Sequence, residues 1–231
     1  MRPAGDGAAV PPASETLTPA PDAPQPHRLL FLPGASGNTG FWRPVAERLR
    51  HPAERIHLGW PGFGGVPSDP AVNGFDDLLA LVLTRLEGRC ALIAQSMGGV
   101  LALQAALALP RRVTHLVLCA TSGGLPMDAL GAEDWRTGFQ ADHPELPDWF
   151  ATRTEVLSSR LPALKMPVLL LWGEADPISP VRVGERLSEL LPRSRLRLIP
   201  GADHDLALER AATVAPLIDA HLIGPHPDTT P

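Results

Sequence analysis

Ser96 is a polar residue between two apolar stretches, and its surroundings suit a nucleophile. CALIAQ (90–95) has the length and apolar character of a buried strand, and the stretch 97–109 is predicted to be a helix. A sharp turn between them needs small residues, and two glycines follow Met97. Such a turn would expose the hydroxyl, give Ser96 a positive φ and place the Met97 N–H at a helix N-terminus, where an oxyanion is stabilised. The alternative is a serine that only caps the helix.

A serine hydroxyl is a weak nucleophile, so it needs a base, and the base needs an acid that orients it. His204 follows the predicted strand 195–200, whereas the other histidines lie in predicted strands, tails, loops or helix ends. Asp176 follows the predicted strand 167–172 and is the candidate acid. Glu174 lies in the same loop, nearer the strand, and is the alternative.

Short apolar runs alternate with stretches of helical periodicity along most of the chain. Most of the runs are apolar throughout, which is typical of parallel strands covered on both faces. They span residues 28–32, 55–60, 90–95, 113–120, 167–172 and 195–200. Helices are predicted at about 40–50, 75–87, 97–109, 180–191 and 205–222. This alternation predicts an α/β domain with a parallel sheet and right-handed crossovers.

The segment 121–164 interrupts the alternation, because no strand is predicted within it. It is rich in Trp, Phe, Pro and Asp, and a connection of this length is typical of a lid or binding element. We expect short helices there. The aromatic candidates for an apolar substrate pocket are Trp42, which follows the first strand, and Trp135, Phe139, Trp149 and Phe150 of the segment. The alternative is that several of them only seat the lid on the core.

Composition restricts the possible classes of protein. Hydrophobic residues make up 44% of the 231 residues, which is enough for one core and predicts one domain. We expect this domain at 28–222, with a disordered Pro/Ala-rich tail at 1–27 and a loose end at 223–231. The net charge of −5, without a dense Lys/Arg block, argues against nucleic acid or an anionic membrane as a partner.

The two cysteines and the N-terminal residues bear on the compartment. Cys90 and Cys119 lie in strand-like runs, at opposite ends of neighbouring predicted strands, so we expect buried free thiols. No Cys/His spacing indicates a metal site. The N-terminal stretch contains no apolar core of a secretory signal, and no apolar run approaches the ~20 residues of a membrane span. These features favour a cytoplasmic protein.

Four motifs together resemble those of the α/β-hydrolase family. Three of them are FLPGASGNTGFW (31–42), GWPGFGGVPSDP (59–70) and AQSMGG (94–99). The fourth has two parts, the acid segment LLLWGEADPISP (169–180) and the histidine segment IPGADHD (199–205). Pro33, Gly59 and Ala94 depart from the residues most frequent in the family, which are His, Asp and Gly.

This resemblance implies an α/β-hydrolase fold, with about six mostly parallel strands, helices on both faces and a short helical lid. The family's chain order of nucleophile, acid and base assigns these roles to Ser96, Asp176 and His204. By position, the Ala35 N–H would be the second oxyanion donor beside that of Met97.

The short lid makes the chain similar to small bacterial serine carboxylesterases, such as the pimeloyl-acyl-carrier-protein methyl ester esterases. The resemblance implies hydrolysis of a small acyl ester or thioester through an acyl-enzyme, without a cofactor or metal. Cofactor-free perhydrolase or haloperoxidase-like chemistry and C–C bond hydrolysis use the same triad and are the alternatives. A non-enzymatic scaffold is disfavoured, because such proteins are expected to lose a triad residue.

Overall fold

A parallel sheet forms the centre of the computed structural model, which describes residues 24–144, 146–147, 149 and 156–223. Its strands are β1 Arg28–Leu32, β2 Glu54–His57, β3 Cys90–Gln95, β4 Val113–Cys119, β5 Val168–Gly173 and β6 Ser194–Ile199. All neighbours are parallel, as predicted, and the strand order is β2-β1-β3-β4-β5-β6. Among the strands, the largest difference is at β2, which was predicted to reach Trp60 and ends at His57. Trp60 instead donates its indole N–H to Gly34 O at 2.9 Å, in the loop after β1.

Helices cover both faces of the sheet. They are α1 Arg43–Ala46, α2 Phe75–Arg85, α3 Met97–Ala108, α4 Arg136–Asp142, α5 Val181–Leu190, α6 Leu206–Glu209 and α7 Ala211–Ile223. Side chains alternate along the strands, so Leu92 shares a core with α2, α3 and α5, while Ile93 shares one with α1, α6 and α7. The predicted helix 205–222 is interrupted at Arg210, where φ is −110° and ψ is 32°.

The described part of the segment 121–164 is helical in short pieces, at Asp128–Leu130, Arg136–Asp142 and Leu161–Ala163. Most of the two predicted tails, and Phe150 of the lid, lie outside the described residues. Among the helices described, none combines the length and apolar character that a bilayer crossing requires.

Both thiols are free and buried, as predicted. The register pairs Cys90 with Val113 and Cys119 with Gln95, which places the cysteines at opposite ends of β3 and β4. Burial raises the pKa of both thiols, so little thiolate is present at neutral pH and neither cysteine is a good nucleophile.

Two buried histidines should make stability depend on pH. The His115 and His221 rings lie 5.2 Å apart, and His221 Nε2 donates to Leu116 O at 3.0 Å. Burial, with smaller contributions from the neighbouring histidines and arginines, lowers the pKa of His115 to about 4 and that of His221 to about 3. Below about pH 6.5 the unfolded chain therefore binds more protons than the folded chain.

We expect the free energy of unfolding to fall by roughly 1.5 kcal/mol per histidine between pH 6.5 and pH 5. Urea unfolding at both pH values measures this change. His221→Gln should reduce the dependence by roughly half, because His115 remains, whereas His27→Gln, at an exposed histidine, should leave it unchanged. A free energy of unfolding that is equal at both pH values would contradict the expectation.

Candidate active site

Ser96 occupies a strained turn between β3 and α3. Its φ of 50° and ψ of −120° are unusual for a residue with a side chain, and the positive φ is as predicted. Within the described chain, the Ser96 side chain makes no hydrogen bond that caps α3. The turn therefore presents the hydroxyl instead of using it as a helix cap.

The two glycines after Met97 let this turn pack closely against its neighbours. A Cβ on Gly98 would lie 2.4 Å from Pro33 O, and one on Gly99 would lie 2.5 Å from Thr121 Oγ1. Larger side chains would push α3 away from the end of β1 and from the loop after β4. The glycines thus fix the position of Ser96 relative to both loops.

His204 and Asp176 meet at the carboxyl ends of β5 and β6. His204 Nδ1 lies 2.9 Å from Asp176 Oδ2, and the Asp176 side chain is fully buried. Asp176 Oδ1 accepts hydrogen bonds from Ile178 N and Ser179 N, both at 2.9 Å. These bonds fix the carboxylate against the imidazole. Glu174, the alternative acid, is exposed.

A cavity of about 610 Å³ brings Ser96, Met97 and His204 together in its wall. Among the described residues, no hydrogen bond joins Ser96 Oγ to the His204 ring. Catalytic hydrogen bonds are often long in ligand-free proteins and tighten when substrate binds. The cavity is therefore where the nucleophile, base and substrate would meet.

Two backbone N–H groups are candidates for stabilising an oxyanion. Met97 is the first residue of α3, so its N–H has no carbonyl of an earlier helical turn to bond. The loop carrying Ala35 lies close to Ser96, since a Cβ on Gly34 would come within 3.2 Å of Ser96 Cβ. Trp60 holds this loop through its hydrogen bond to Gly34 O.

The aromatic residues predicted to line a substrate pocket lie in different surroundings in the structure. Trp135 lines the cavity, and the Phe139 ring packs against Trp135 at 5.5 Å. Trp149 packs edge-on against Phe63, which follows β2, at 5.8 Å. Trp42 instead lies in the apolar core at 1% exposure, where its indole N–H donates to Leu32 O at 3.0 Å.

Several cavity residues were not predicted from the sequence. They include Phe75, Val100, Ala120, Ser122, Ile178 and Ser179. Ala120 and Ser122 follow the end of β4, and ligands bind at the carboxyl ends of parallel strands, so their position was a usable signal. Phe75 and Val100 lie on helices and offered no such signal. Within the described ranges, no group of three or more His, Cys, Asp or Glu residues is arranged to hold a metal ion.

Known proteins resemble this chain over most of its length. The profile of the alpha/beta hydrolase family matches residues 29–217. Pimeloyl-acyl-carrier-protein methyl ester esterase of Nitrosomonas europaea is 26% identical over 222 residues, which cover 76% of this chain and 88% of the relative. A thermophilic esterase from Thermogutta terrifontis superposes with a TM-score of 0.66 at 23% identity, covering 85% of this chain and 89% of that one. NosK from Streptomyces actuosus gives 0.69 at 23% identity, covering 85% and 96%.

Proposed function

Because the chain belongs to the alpha/beta hydrolase family, we propose that it is a serine esterase that hydrolyses small carboxylic esters or thioesters through an acyl-enzyme on Ser96. The observation that carries this proposal is the Asp176–His204 hydrogen bond of 2.9 Å, beside a cavity that Ser96 and His204 both line. A strained serine, a histidine in the same cavity and a buried carboxylate behind that histidine are the parts of a nucleophilic triad.

In the first half of the reaction, Ser96 Oγ attacks the ester carbonyl carbon and His204 Nε2 takes the hydroxyl proton. Asp176 accepts the Nδ1–H, which keeps Nε2 unprotonated before the attack and stabilises the imidazolium that forms. The carbonyl π electrons move to the oxygen, where the N–H groups of Met97 and Ala35 would hold the negative charge. Losing one such donor typically lowers the rate ~10²–10³-fold.

The oxyanion then collapses: the C–O bond of an ester, or the C–S bond of a thioester, breaks, His204 protonates the departing alcohol or thiol, and the acyl-enzyme remains. In the second half, water attacks the acyl-enzyme, with His204 again accepting a proton. Its attack forms a second oxyanion at the same donors. Collapse of this intermediate releases the carboxylic acid and returns the proton to Ser96.

The wall of the cavity favours a neutral acyl group. Leu125, Met127 and Trp135 supply apolar surface. The cavity is also lined by three exposed acidic residues, Asp128, Glu133 and Asp134. One cation, Arg136, lies beside them, with its Nη1 atom 3.8 Å from Asp134 Oδ1. An excess of negative charge disfavours anionic substrates. A small neutral ester in the reducing cytoplasm, where buried free thiols persist, is the substrate and compartment that we propose.

Hydrolysis of p-nitrophenyl acetate, butyrate and octanoate tests this function. We expect kcat/KM to be highest for the short chains, because the lid is short, and Ser96→Ala to abolish hydrolysis. Trp135→Ala should enlarge the cavity and raise the octanoate-to-acetate ratio of kcat/KM roughly 3- to 10-fold. Val156→Ala is the control. Val156 also lines the cavity but is exposed to solvent, so this substitution should change the ratio less. No hydrolysis of any of the three esters would contradict the proposal.

A further inference from the structure

Thr121 connects the turn at Ser96 to the loop that follows β4. Thr121 is fully buried, and its Oγ1 accepts a hydrogen bond from Gly123 N at 3.1 Å. The hydroxyl proton is therefore free to be donated to Ser96 O, which lies 2.6 Å away. The close approach depends on Gly99, since a Cβ there would lie 2.5 Å from Thr121 Oγ1.

The same residue is also joined to the acid of the triad. Thr121 O accepts a hydrogen bond from Ser179 Oγ at 3.3 Å, and Ser179 N donates to Asp176 Oδ1 at 2.9 Å. Trp172 Nε1 donates to Ser179 Oγ at 3.2 Å, which directs the serine proton toward Thr121 O. Thr121 thus lies between the nucleophile and the acid and contacts the supports of both.

The carbonyl that Thr121 holds belongs to the same peptide group as the Met97 N–H. In a planar trans peptide the C=O and N–H point in opposite directions, so fixing the carbonyl also fixes the N–H. Gly99 N donates to the same Ser96 oxygen at 2.9 Å. Hydrogen bonds at the oxygen polarise the peptide group and strengthen its N–H as a donor.

We propose that Thr121 is a positioning residue for the oxyanion hole: its hydroxyl orients and polarises the Ser96–Met97 peptide, so that the Met97 N–H meets the oxyanion. The proposal rests on the proposed role of Ser96 as nucleophile. Thr121 acts through this peptide and does not touch the substrate. Its loss should therefore weaken binding of the tetrahedral state more than binding of the ester.

The test uses Thr121→Val, which keeps the shape of the side chain and removes the hydroxyl. The matched control is Thr114→Val, because the buried Thr114 hydroxyl donates to Cys90 O at 3.2 Å at the other end of β4. For each variant, kcat and KM for p-nitrophenyl butyrate, the melting temperature and inhibition by an alkyl trifluoromethyl ketone are measured. Ser96 Oγ bonds to the ketone carbon, its proton passes to His204, and the ketone oxygen becomes an oxyanion.

We expect Thr121→Val to lower kcat roughly tenfold and to weaken ketone inhibition by a similar factor, with KM changed less than about twofold. Thr121→Ser should restore both values to within about twofold. Thr114→Val should change neither kcat nor ketone inhibition, even if its melting temperature falls as much as that of Thr121→Val. If Thr121→Val does not fold, Thr121→Cys, with its weaker donor, should give an intermediate loss of both.

Unchanged ketone inhibition in the folded Thr121 variant would overturn the proposal, and so would an equal loss in Thr114→Val. Ser96→Ala separates this failure from failure of the proposed function. If Ser96→Ala hydrolyses the butyrate ester as fast as the unmodified protein, the assignment of Ser96 is wrong. If that variant is inactive while the Thr121 variants are unaffected, only the role of Thr121 is wrong.

Discussion

Replacing Asp176 by Asn should lower kcat for p-nitrophenyl butyrate about 10⁴-fold. The N–H groups of Ile178 and Ser179, each 2.9 Å from Asp176 Oδ1, will hold the amide oxygen of an asparagine. In the unmodified protein, His204 Nδ1 lies 2.9 Å from Asp176 Oδ2. In the variant, the amide nitrogen of the asparagine takes the place of Oδ2 and faces Nδ1. A donor there favours the tautomer with its proton on Nε2, and that tautomer cannot take the Ser96 proton.

Glu174→Gln is the matched control, because it makes the same chemical change in the same loop at an exposed residue. Its kcat should stay within about twofold of the unmodified value, and KM should change little in either variant. Steady-state kinetics with p-nitrophenyl butyrate, together with melting temperatures, measures both effects. A large loss in Glu174→Gln with a small loss in Asp176→Asn would transfer the role of the acid to Glu174.

Gly98→Ala should reduce both activity and stability. The new Cβ would lie 2.4 Å from Pro33 O and 2.9 Å from Leu32 O, which are backbone atoms and cannot move aside cheaply. The start of α3 must then shift, taking Ser96 and the Met97 N–H out of place. We expect kcat/KM to fall at least about 10²-fold and the free energy of unfolding to fall by roughly 1–3 kcal/mol.

Gly138→Ala provides the comparison, since Gly138 is also helical and a Cβ there would meet nothing within 4 Å. That change should leave kcat/KM unaffected and keep or slightly raise stability, because alanine favours a helix. Esterase assays and urea unfolding of both variants measure the difference. A fully active Gly98→Ala protein would show that the tight packing of the elbow is not required for catalysis.

Local sequence was sufficient to identify the triad candidates because each one follows an apolar strand run. Parallel strands place such residues at one edge of the sheet, and the structure brings Asp176 and His204 within 2.9 Å of each other there. Glu174 and Asp176 could not be separated by position alone. The difference between them is tertiary: the N–H groups of Ile178 and Ser179 turn Asp176 inward, while Glu174 is exposed.

The direction in which an aromatic ring points was harder to predict than its position along the chain. Trp42 follows the loop after β1, yet its ring lies in the core on one face of the sheet and its N–H meets Leu32 O. Trp135 lies between Asp134 and Arg136 in the sequence, yet it lines the cavity. Thr121 belongs to no sequence motif that would indicate its proposed role. That role depends on the distance between its hydroxyl and Ser96 O, which only the fold determines.

Labelling with p-nitrophenyl diethyl phosphate tests the central claim most directly, because the phosphorylated serine is stable enough for peptide mapping by mass spectrometry. If Ser96 is the nucleophile, p-nitrophenolate is released once per chain, the diethylphosphoryl group is found on Ser96, and esterase activity is lost in proportion. Ser96→Ala should then take up no label. A label on another residue, or ester hydrolysis that persists in the fully labelled protein, would contradict the account.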